Sequence, residues 1–301
     1  MNQEFYQELC RHIPQEAILL QEPMKRHTTF KIGGPADYYL APDRQQMVDA
    51  LAIAKKHNVP VTIIGNGSNL LVRDGGIRGL VMEIGRPMSE VTVDGTKIHA
   101  GAGAMLGRIA GAAADAGLGG FEFAGGIPGT FGGAVVMNAG AYGGEMKDVL
   151  TSVEVLTPEG NFLTVAVEEL DLSYRHSCIP ESGYIVVGGI LQLKPGDRDE
   201  IRSVMAGWRD SRLEKQPLEY PSAGSTFKRP EGYYAGKLIM DAGLRGYRVG
   251  DAQVAEKHCG FVINRKDATA AEVLQLMDDV RERVMDKFGV ELEPEVKIIG
   301  E

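Results

Sequence analysis

Glycine is concentrated in one part of the chain, and this concentration limits what that part can fold into. Between positions 117 and 144, 11 of 28 residues are glycine, interleaved with Phe, Ile, Val and Met. Glycine loses more backbone freedom on folding than any other residue, so a dense run of it is costly. The cost is best explained where the backbone must approach a flat or charged ligand closely. Tight packing of loops within the domain itself is the alternative interpretation.

A second glycine-rich segment, 65–69 (GNGSN), follows a short β-branched run at 59–64. A strand that runs into two glycines and three small polar residues suits backbone N–H groups that wrap a diphosphate. A dinucleotide fingerprint of the Rossmann type needs a helix straight after the glycines. Here residues 70–72 (LLV) continue as a strand, and no Walker lysine follows. A glycine-rich turn between two strands is the alternative.

Size and charge exclude several classes of protein. The chain has 301 residues, enough for two or three domains. Its formal net charge of −9 argues against non-specific nucleic-acid binding, which needs a cationic surface. No apolar run approaches the roughly 18 residues of a membrane helix, and the N-terminal residues lack the pattern of a signal peptide. The three scattered cysteines show no metal-binding spacing. We therefore expect a cytoplasmic protein without metal, membrane association or nucleic-acid partner.

Hydrophobic periodicity predicts the main helices and strands. Helices are expected at 43–58, 105–116, 199–213 and from Thr269, where Thr269 and Glu272 form a capping box. Strands are expected at 59–64, 80–84, 91–93, 152–156, 162–167, 184–193 and 296–299. The helix at 199–213 is expected to bury Ile201, Val204, Met205 and Trp208. Residues 215–265 are predicted to be mixed and rich in turns.

Seven short motifs carry a more specific signal than composition does. They are 28–34 (TTFKIGG), 65–69 (GNGSN), 126–133 (GIPGTFGG), 138–143 (NAGAYG), 173–175 (SYR), 223–228 (AGSTFK) and 293–296 (EPEV). In this order and at these spacings they resemble the motifs of one family, the UDP-N-acetylenolpyruvoylglucosamine reductases. Any one motif alone would be a weak signal, but together they span nearly the whole chain.

The resemblance implies an α+β fold, that of a three-domain flavoenzyme. Its FAD-binding unit is of the vanillyl-alcohol-oxidase (PCMH) type, and a smaller C-terminal domain binds the substrate. The expected FAD-binding subdomains are 1–85 and 86–213, and the expected substrate domain is 214–295. The terminal strand at 296–301 is a candidate to return to the first subdomain. The compact stretch from Arg175 to Ser225 resembles the shorter subtype, which lacks an inserted tyrosine loop.

The resemblance also implies the reaction. NADPH, as co-substrate, gives hydride to non-covalently bound FAD. The flavin passes it to the enolpyruvyl group of UDP-N-acetylglucosamine enolpyruvate, which becomes UDP-N-acetylmuramate for peptidoglycan synthesis. Hydride addition leaves carbanionic charge beside the carboxylate, and this charge needs stabilisation and a proton. No obligate protein partner is implied.

Three residues of the matched motifs are the expected catalytic groups. Arg175 would grip the carboxylate with a bidentate fork, Glu295 would polarise the site and bind the enol form, and Ser225 would donate the proton. Each has a simpler interpretation: a structural ion pair for Arg175, a solvated acidic terminus for Glu295, and a turn serine for Ser225.

The remaining expected contacts follow from motif position. The FAD contacts are Ile32, Gly33, Gly65, Asn66, Gly67, Ser68, Asn69, Gly126, Ile127, Pro128, Gly129, Thr130 and Gly133. The substrate contacts are Tyr142, Tyr174, Lys215, Lys228, Arg229 and Lys297. Two other functions stay open: a different oxidoreductase on the same FAD-binding unit, and a flavin-binding module without catalysis. The motifs that hold Arg175, Ser225 and Glu295 count against both.

Overall fold

The computed structural model of the protein describes residues 2–301. Eight α-helices occur in that range: α1 (Gln3–His12), α2 (Arg44–Lys56), α3 (Leu106–Asp115), α4 (Phe131–Val136), α5 (Ile179–Ser182), α6 (Arg198–Lys215), α7 (Ala235–Asp241) and α8 (Ala270–Phe288). None of the helices within residues 2–301 has the length and apolar character to cross a membrane.

The strands of the same residues are mostly short. They are β1 (Leu19–Pro23), β2 (Pro35–Leu40), β3 (Val61–Ile64), β4 (Leu70–Val72), β5 (Ile77–Glu83), β6 (Val91–Asp94), β7 (Lys97–Gly101), β8 (Leu118–Gly119), β9 (Gly140–Ala141), β10 (Gly144–Glu145), β11 (Leu150–Leu156), β12 (Phe162–Ala166), β13 (Ile185–Gln192), β14 (Lys194–Pro195), β15 (Ser222–Ser225), β16 (Arg248–Val249), β17 (Ala252–Val254), β18 (Phe261–Asn264) and β19 (Lys297–Ile299).

These strands form three larger sheets and three two-stranded pairs. The strand orders are β1-β2-β5-β3, β12-β11-β13-β7-β6 and β15-β18-β17-β16, with pairs β10-β9, β14-β8 and β19-β4. β3 runs parallel to β5, whereas the five-stranded sheet is antiparallel. β19 runs parallel to β4, so a strand near the end of the sequence pairs with one near its beginning.

The chain divides into two compact units. The first unit comprises the residues up to Leu19, Tyr39–Asn66 and Gly79–Arg212. The second unit comprises Leu20–Tyr38, Gly67–Arg78 and Leu213–Glu301. The three-domain division at 85, 213 and 295 stays a prediction.

In the first unit, α3 and α4 pack on the five-stranded sheet. Phe131 and Leu106 are fully enclosed there. The approach of α4 to the sheet depends on a missing side chain, because a β-carbon on Gly189 of β13 would lie 2.8 Å from the Phe131 ring. This packing holds the glycine-rich segment around 126–133 in place.

In the second unit, α8 organises the core. Its start is specified by the expected capping box, in which the Thr269 hydroxyl accepts from the Glu272 N–H at 3.1 Å and the Glu272 carboxylate accepts from the Thr269 N–H at 3.1 Å. Asp74 adds a second cap, accepting from the N–H groups of Ala270 and Ala271 at 2.8 and 2.9 Å. The buried face of α8 and Leu71, in the segment before this cap, belong to the same hydrophobic core.

One expectation from the sequence is wrong. Val204 is 41% exposed rather than buried, and of the residues expected on the inner face of α6 only Ile201 is buried, while Met205 and Trp208 are half-buried. Residues 215–265 are mixed and rich in turns as expected, with α7 and the four short strands β15 to β18. The other predicted helices and strands are confirmed, with end points that differ by a few residues.

Candidate functional site

The two glycine-rich segments meet in the first unit at Gly65 and Thr130. Thr130 directly precedes α4, and its hydroxyl oxygen is buried without a hydrogen-bond partner among residues 2–301. A β-carbon on Gly65 would lie 2.4 Å from this oxygen. Because position 65 has no side chain, the Thr130 hydroxyl can lie close to the backbone there, and this buried hydroxyl can still donate or accept a hydrogen bond.

A side-chain hydrogen bond ties the same two segments together. The amide of Asn66 donates to the Pro128 carbonyl at 2.7 Å. Within the 117–144 segment itself, the N–H of Ile127 donates to the Ala124 carbonyl at 3.0 Å. A side-chain bond and a backbone bond thus hold this part of the chain, in which Gly126 and Pro128 are exposed.

The rest of the 65–69 segment, from Gly67 onward, belongs to the second unit. Gly67 has a φ of +61°, and a β-carbon there would lie 2.0 Å from the His27 carbonyl oxygen. The N–H of Thr29 donates to the Gly67 carbonyl at 3.3 Å. Only glycine fits such a backbone conformation and contact. Ile32, an expected FAD contact, has its side chain buried in the core of the second unit.

These features fit a bound FAD. A buried hydroxyl without a partner is costly unless a ligand completes its hydrogen bonds. The lack of a side chain at position 65 lets the backbone come close to a diphosphate, and Thr130 would donate to one of its oxygens. We infer that the residues present can hold the cofactor that the motifs imply.

Arg175 lies on a tight turn of the first unit. Ser173 and His176 pair across this turn, and Arg175 itself has a left-handed φ of +57°. The guanidinium carbon of Arg175 lies 4.9 Å from the centroid of the Tyr174 ring. The fully buried side chain of Asn138 donates to the Ser173 carbonyl at 3.0 Å. The turn that presents Arg175 is therefore fixed by the 138–143 motif.

Tyr142, an expected substrate contact, packs on α6. Its ring stacks on Trp208 with centroids 4.8 Å apart and planes 5° from parallel, and its hydroxyl donates to the Trp208 carbonyl at 3.0 Å. A cavity of about 310 Å³ opens here, lined among others by Gly126, Tyr142, Trp208 and Arg212. Burial lowers the pKa of the Arg212 guanidinium, and Tyr142 acts in the opposite direction.

Trp208 and Arg212 line this cavity, and neither is among the residues that the sequence predicts to contact the cofactor or substrate. Trp208 was expected only as a buried residue of a helix, although it is the single tryptophan of the chain. Arg212 lies close to Gly126, where a β-carbon would be 3.0 Å from its Nη1 atom. The signal that was available is the spacing of Trp208 and Arg212, one helical turn apart on α6.

Ser225 and Glu295 come together in the second unit. Ser225 pairs with Phe261 at the end of β15, and the next residue, Thr226, accepts a hydrogen bond from the Glu295 N–H at 2.9 Å. One residue further on, Phe227 pairs with Pro294. Two of the three expected catalytic residues are thus neighbours across a short antiparallel contact, while Arg175 belongs to the first unit.

The expected basic contacts of the second unit differ in their surroundings. Lys228 lies beside Glu293, with 2.9 Å between Nζ and Oε2, and this pairing lowers the pKa of the Glu293 carboxyl. The Arg229 guanidinium lies 4.1 Å from the centre of the Tyr234 ring. Lys215 and Lys297 are exposed. Their contacts with substrate stay predictions.

The chain is similar to known proteins along its entire length. A family model described as FAD binding domain matches residues 35–166, and one described as UDP-N-acetylenolpyruvoylglucosamine reductase, C-terminal domain, matches 216–299. The UDP-N-acetylenolpyruvoylglucosamine reductase of Agathobacter rectalis is 61% identical, with 100% of each chain covered. That of Lachnoclostridium phytofermentans is 53% identical, covering 100% of this chain and 99% of the relative.

The chain belongs to the UDP-N-acetylenolpyruvoylglucosamine reductase family. The solved structure of the UDP-N-acetylenolpyruvylglucosamine reductase from Thermus caldophilus has a TM-score of 0.80 at 38% identity, covering 93% of this chain and 97% of that chain. The expected α+β flavoenzyme fold is confirmed. As a UDP-N-acetylenolpyruvoylglucosamine reductase, the protein is an FAD-containing, NADPH-dependent oxidoreductase of peptidoglycan precursor synthesis. The two alternatives left open by the sequence are set aside.

Proposed function

We propose that Arg175, Ser225 and Glu295 carry the second half of this reductase reaction, the addition of hydride and a proton to the enolpyruvyl double bond. The contact between Glu295 and Thr226, 2.9 Å from N–H to carbonyl oxygen, carries the proposal. This main-chain contact makes Glu295 the neighbour of the residue that follows Ser225, and it supports a joint role because the reaction needs both charge stabilisation and a proton.

When bound, FAD would supply hydride transfer between NADPH and the enolpyruvyl group. The chain's part is to hold the cofactor and orient the substrate. Gly65 leaves space beside the Thr130 hydroxyl, and Asn66 keeps the two glycine segments together through the Pro128 carbonyl. We expect the Thr130 hydroxyl to donate to the diphosphate.

Arg175 holds the substrate carboxylate as charge develops on the adjacent carbon. Its guanidinium offers a planar fork of donors that matches a carboxylate in two parallel bonds. The Tyr174 ring beneath it and the fixed turn restrict the side chain, so less rotational entropy is lost on binding. The positive charge of Arg175 stabilises the substrate most when the carbon next to the carboxylate is carbanionic.

Ser225 supplies the proton to that carbon. A serine hydroxyl is a weak acid, so the proton moves because the carbanion is a strong base. Lys228, three residues after Ser225, forms an ion pair with Glu293. Glu295 polarises the carboxylate end of the substrate and binds it in the enol form.

The substrate and NADPH are both anionic nucleotides, which accounts for the cationic residues near Ser225. We propose that Lys215, Lys228, Arg229 and Lys297 meet the phosphates, and that Tyr142 and Tyr174 meet the sugar nucleotide. Because NADPH is a cytoplasmic reductant, we also propose that the reaction takes place in the cytoplasm.

An anaerobic two-step experiment tests the proposal. The purified flavoprotein is reduced with NADPH, and UDP-N-acetylglucosamine enolpyruvate is then added while the flavin absorbance is followed. Ser225→Ala should be reduced by NADPH at the normal rate and reoxidised by the sugar nucleotide at least a hundredfold more slowly. Ser222→Ala, on the same strand β15, is the control and should match the unmodified protein in both steps. Equal loss of both steps in Ser225→Ala contradicts the proposed proton donor.

A further inference from the structure

Asn69, in the 65–69 segment, makes one hydrogen bond with Glu295 and one with Lys297. Its side-chain amide donates to the Glu295 carbonyl at 3.1 Å. Its main-chain carbonyl accepts from the N–H of Lys297, two residues further on, at 2.9 Å. A single residue expected to lie at the cofactor therefore contacts the strand that presents a catalytic carboxylate.

The main chain of Glu295 is held from two directions. Its carbonyl accepts from Asn69, and its N–H donates to Thr226, the residue after Ser225. Thr226 is itself anchored, since its hydroxyl accepts from the Val262 N–H at 2.9 Å and only 4% of its surface is exposed. With Thr226 anchored, the Asn69 amide holds the carbonyl of Glu295 and so helps to set how its main chain is oriented and where its side chain points.

The segment that carries Asn69 is firmly attached to the second unit. β4 begins at the next residue and pairs with β19 through three successive residues. At its far end, Asp74 caps α8. At its near end, the Gly67 carbonyl accepts from Thr29. Asn69 is thus part of a rigid frame, so its amide can fix the orientation of a partner.

We propose that Asn69 is a positioning residue for Glu295, linking the cofactor-binding segment to the carboxylate that acts on the substrate. The inference rests on the proposed role of Glu295. The amide suits this position because it offers an N–H donor to a carbonyl oxygen. A carboxylate of the same shape would present a negative oxygen to that carbonyl and repel it.

The two half-reactions separate positioning from cofactor binding. With FAD saturating, Asn69→Ala should slow reoxidation by UDP-N-acetylglucosamine enolpyruvate roughly 3- to 10-fold, the range for one lost neutral hydrogen bond. Asn69→Asp should slow it more. Reduction by NADPH should change less than about twofold in both, because Glu295 acts only on the sugar nucleotide. If Asn69→Ala fails to fold, Asn69→Ser serves in the same measurements.

A double-mutant cycle with Glu295→Gln is the decisive measurement. If Asn69 acts through the carboxylate, Asn69→Ala should have almost no further effect on reoxidation once Glu295 is Gln. The same loss in both backgrounds overturns the inference. Asn66→Ala is the matched control from the same segment, since its amide donates to Pro128, away from Glu295. It should weaken FAD binding yet give the same loss in both backgrounds.

The proposed function can fail separately. If Glu295→Gln alone leaves reoxidation unchanged, Glu295 has no part in the reaction and the proposed role falls. If Glu295→Gln slows reoxidation but the cycle is additive, the proposed role stands and only the positioning by Asn69 is wrong.

Discussion

A β-carbon on Gly65 would lie 2.4 Å from the Thr130 hydroxyl oxygen, so these two residues touch only because position 65 has no side chain. That oxygen is buried and has no hydrogen-bond partner among residues 2–301. At this pair the backbone comes close to a hydroxyl that has an unused hydrogen-bond donor. Substitutions at position 65 and at position 130 therefore test where the cofactor binds.

Gly65→Ala should sharply weaken FAD binding. The added methyl group would overlap the Thr130 hydroxyl, so the segment must shift by several tenths of an ångström away from α4. We expect a loss of at least tenfold in FAD affinity, measured by fluorescence titration of the flavin-free protein. Gly207→Ala on the exposed face of α6, where a β-carbon would meet nothing within 4 Å, is the control for handling and flavin removal. Unchanged FAD affinity in Gly65→Ala would contradict the placement of the cofactor.

Thr130→Val should separate stability from binding. Removing an unpaired buried hydroxyl costs the flavin-free protein nothing and is expected to stabilise it by up to about 1 kcal/mol. The same change should lower FAD affinity roughly 3- to 10-fold, because the donor to the diphosphate is lost. Thr130→Ser, which keeps the hydroxyl, should bind FAD nearly normally. Chemical denaturation of the flavin-free protein and flavin titration measure the two effects, and a destabilised Thr130→Val with normal affinity would refute this interpretation.

Arg175→Lys should harm the second half-reaction and spare the first. Lysine keeps the positive charge but cannot form two parallel bonds with a carboxylate. We expect reoxidation by the sugar nucleotide to slow roughly 10- to 100-fold, the effect of one lost charge-assisted hydrogen bond. Arg202→Lys, an exposed arginine paired with Asp115, is the control and should behave normally. Equal slowing of NADPH oxidation would mean that Arg175 serves both ligands.

Asp74→Ala should destabilise the second unit. Its carboxylate accepts from two free N–H groups at the start of α8, and loss of such a cap costs about 0.5–2 kcal/mol. Asp74→Asn retains one acceptor oxygen and should lose less. Urea unfolding of the flavin-free proteins gives the comparison. No difference between the two variants would contradict this prediction, because it would show that the acceptor oxygen kept by Asn contributes little.

Glu8→Gln should produce a pH-dependent loss of stability. Hydrogen bonds from Lys56, then from His57, lower the pKa of the Glu8 carboxyl from 4.5 to about 2. A carboxylate with a lowered folded pKa stabilises fully above its unfolded pKa, and this contribution is lost as pH falls through the folded value. Glu8→Gln should therefore melt below the unmodified protein at neutral pH, with the difference closing between about pH 4.5 and about pH 2.

Glu4→Gln, an exposed carboxylate on the same helix, is the control for the Glu8 measurement. Its melting temperature should follow that of the unmodified protein throughout the pH series. A difference for Glu8→Gln that persists unchanged at the acid end would mean that the stabilisation does not come from its charge.

Local signals predicted the elements that local interactions specify. α8 was expected because Thr269 and Glu272 form a capping box ahead of an apolar stripe, and the structure has it. α4 was missed, since two glycines in six residues disfavour a helix by themselves. It is held by packing instead: a β-carbon on Gly132 would lie 3.0 Å from that of Ala102. A prediction from the residues of α4 alone cannot detect this packing, because Ala102 lies outside the helix.

In the candidate site too, the sequence indicated individual residues but not the contacts between distant segments. Motif strings indicated Ser225 and Glu295, because each motif is a short stretch of chain. The contacts that orient these residues, Glu295 with Thr226 and Glu295 with Asn69, join segments far apart in the sequence. Trp208 was expected only as an apolar residue of α6, because its stacking on Tyr142 depends on a loop more than sixty positions earlier.

The parallel pairing of β4 with β19 has a consequence for biosynthesis. Residues 70–72 leave the ribosome long before their partners at 297–299 are made. Contacts between such distant segments form slowly, because a long loop must close first. Until then, Asn69 lacks both of its bonds to Glu295 and Lys297. A nascent chain can therefore fix the main chain of Glu295 only after both strands have been synthesised, so this contact forms late in folding.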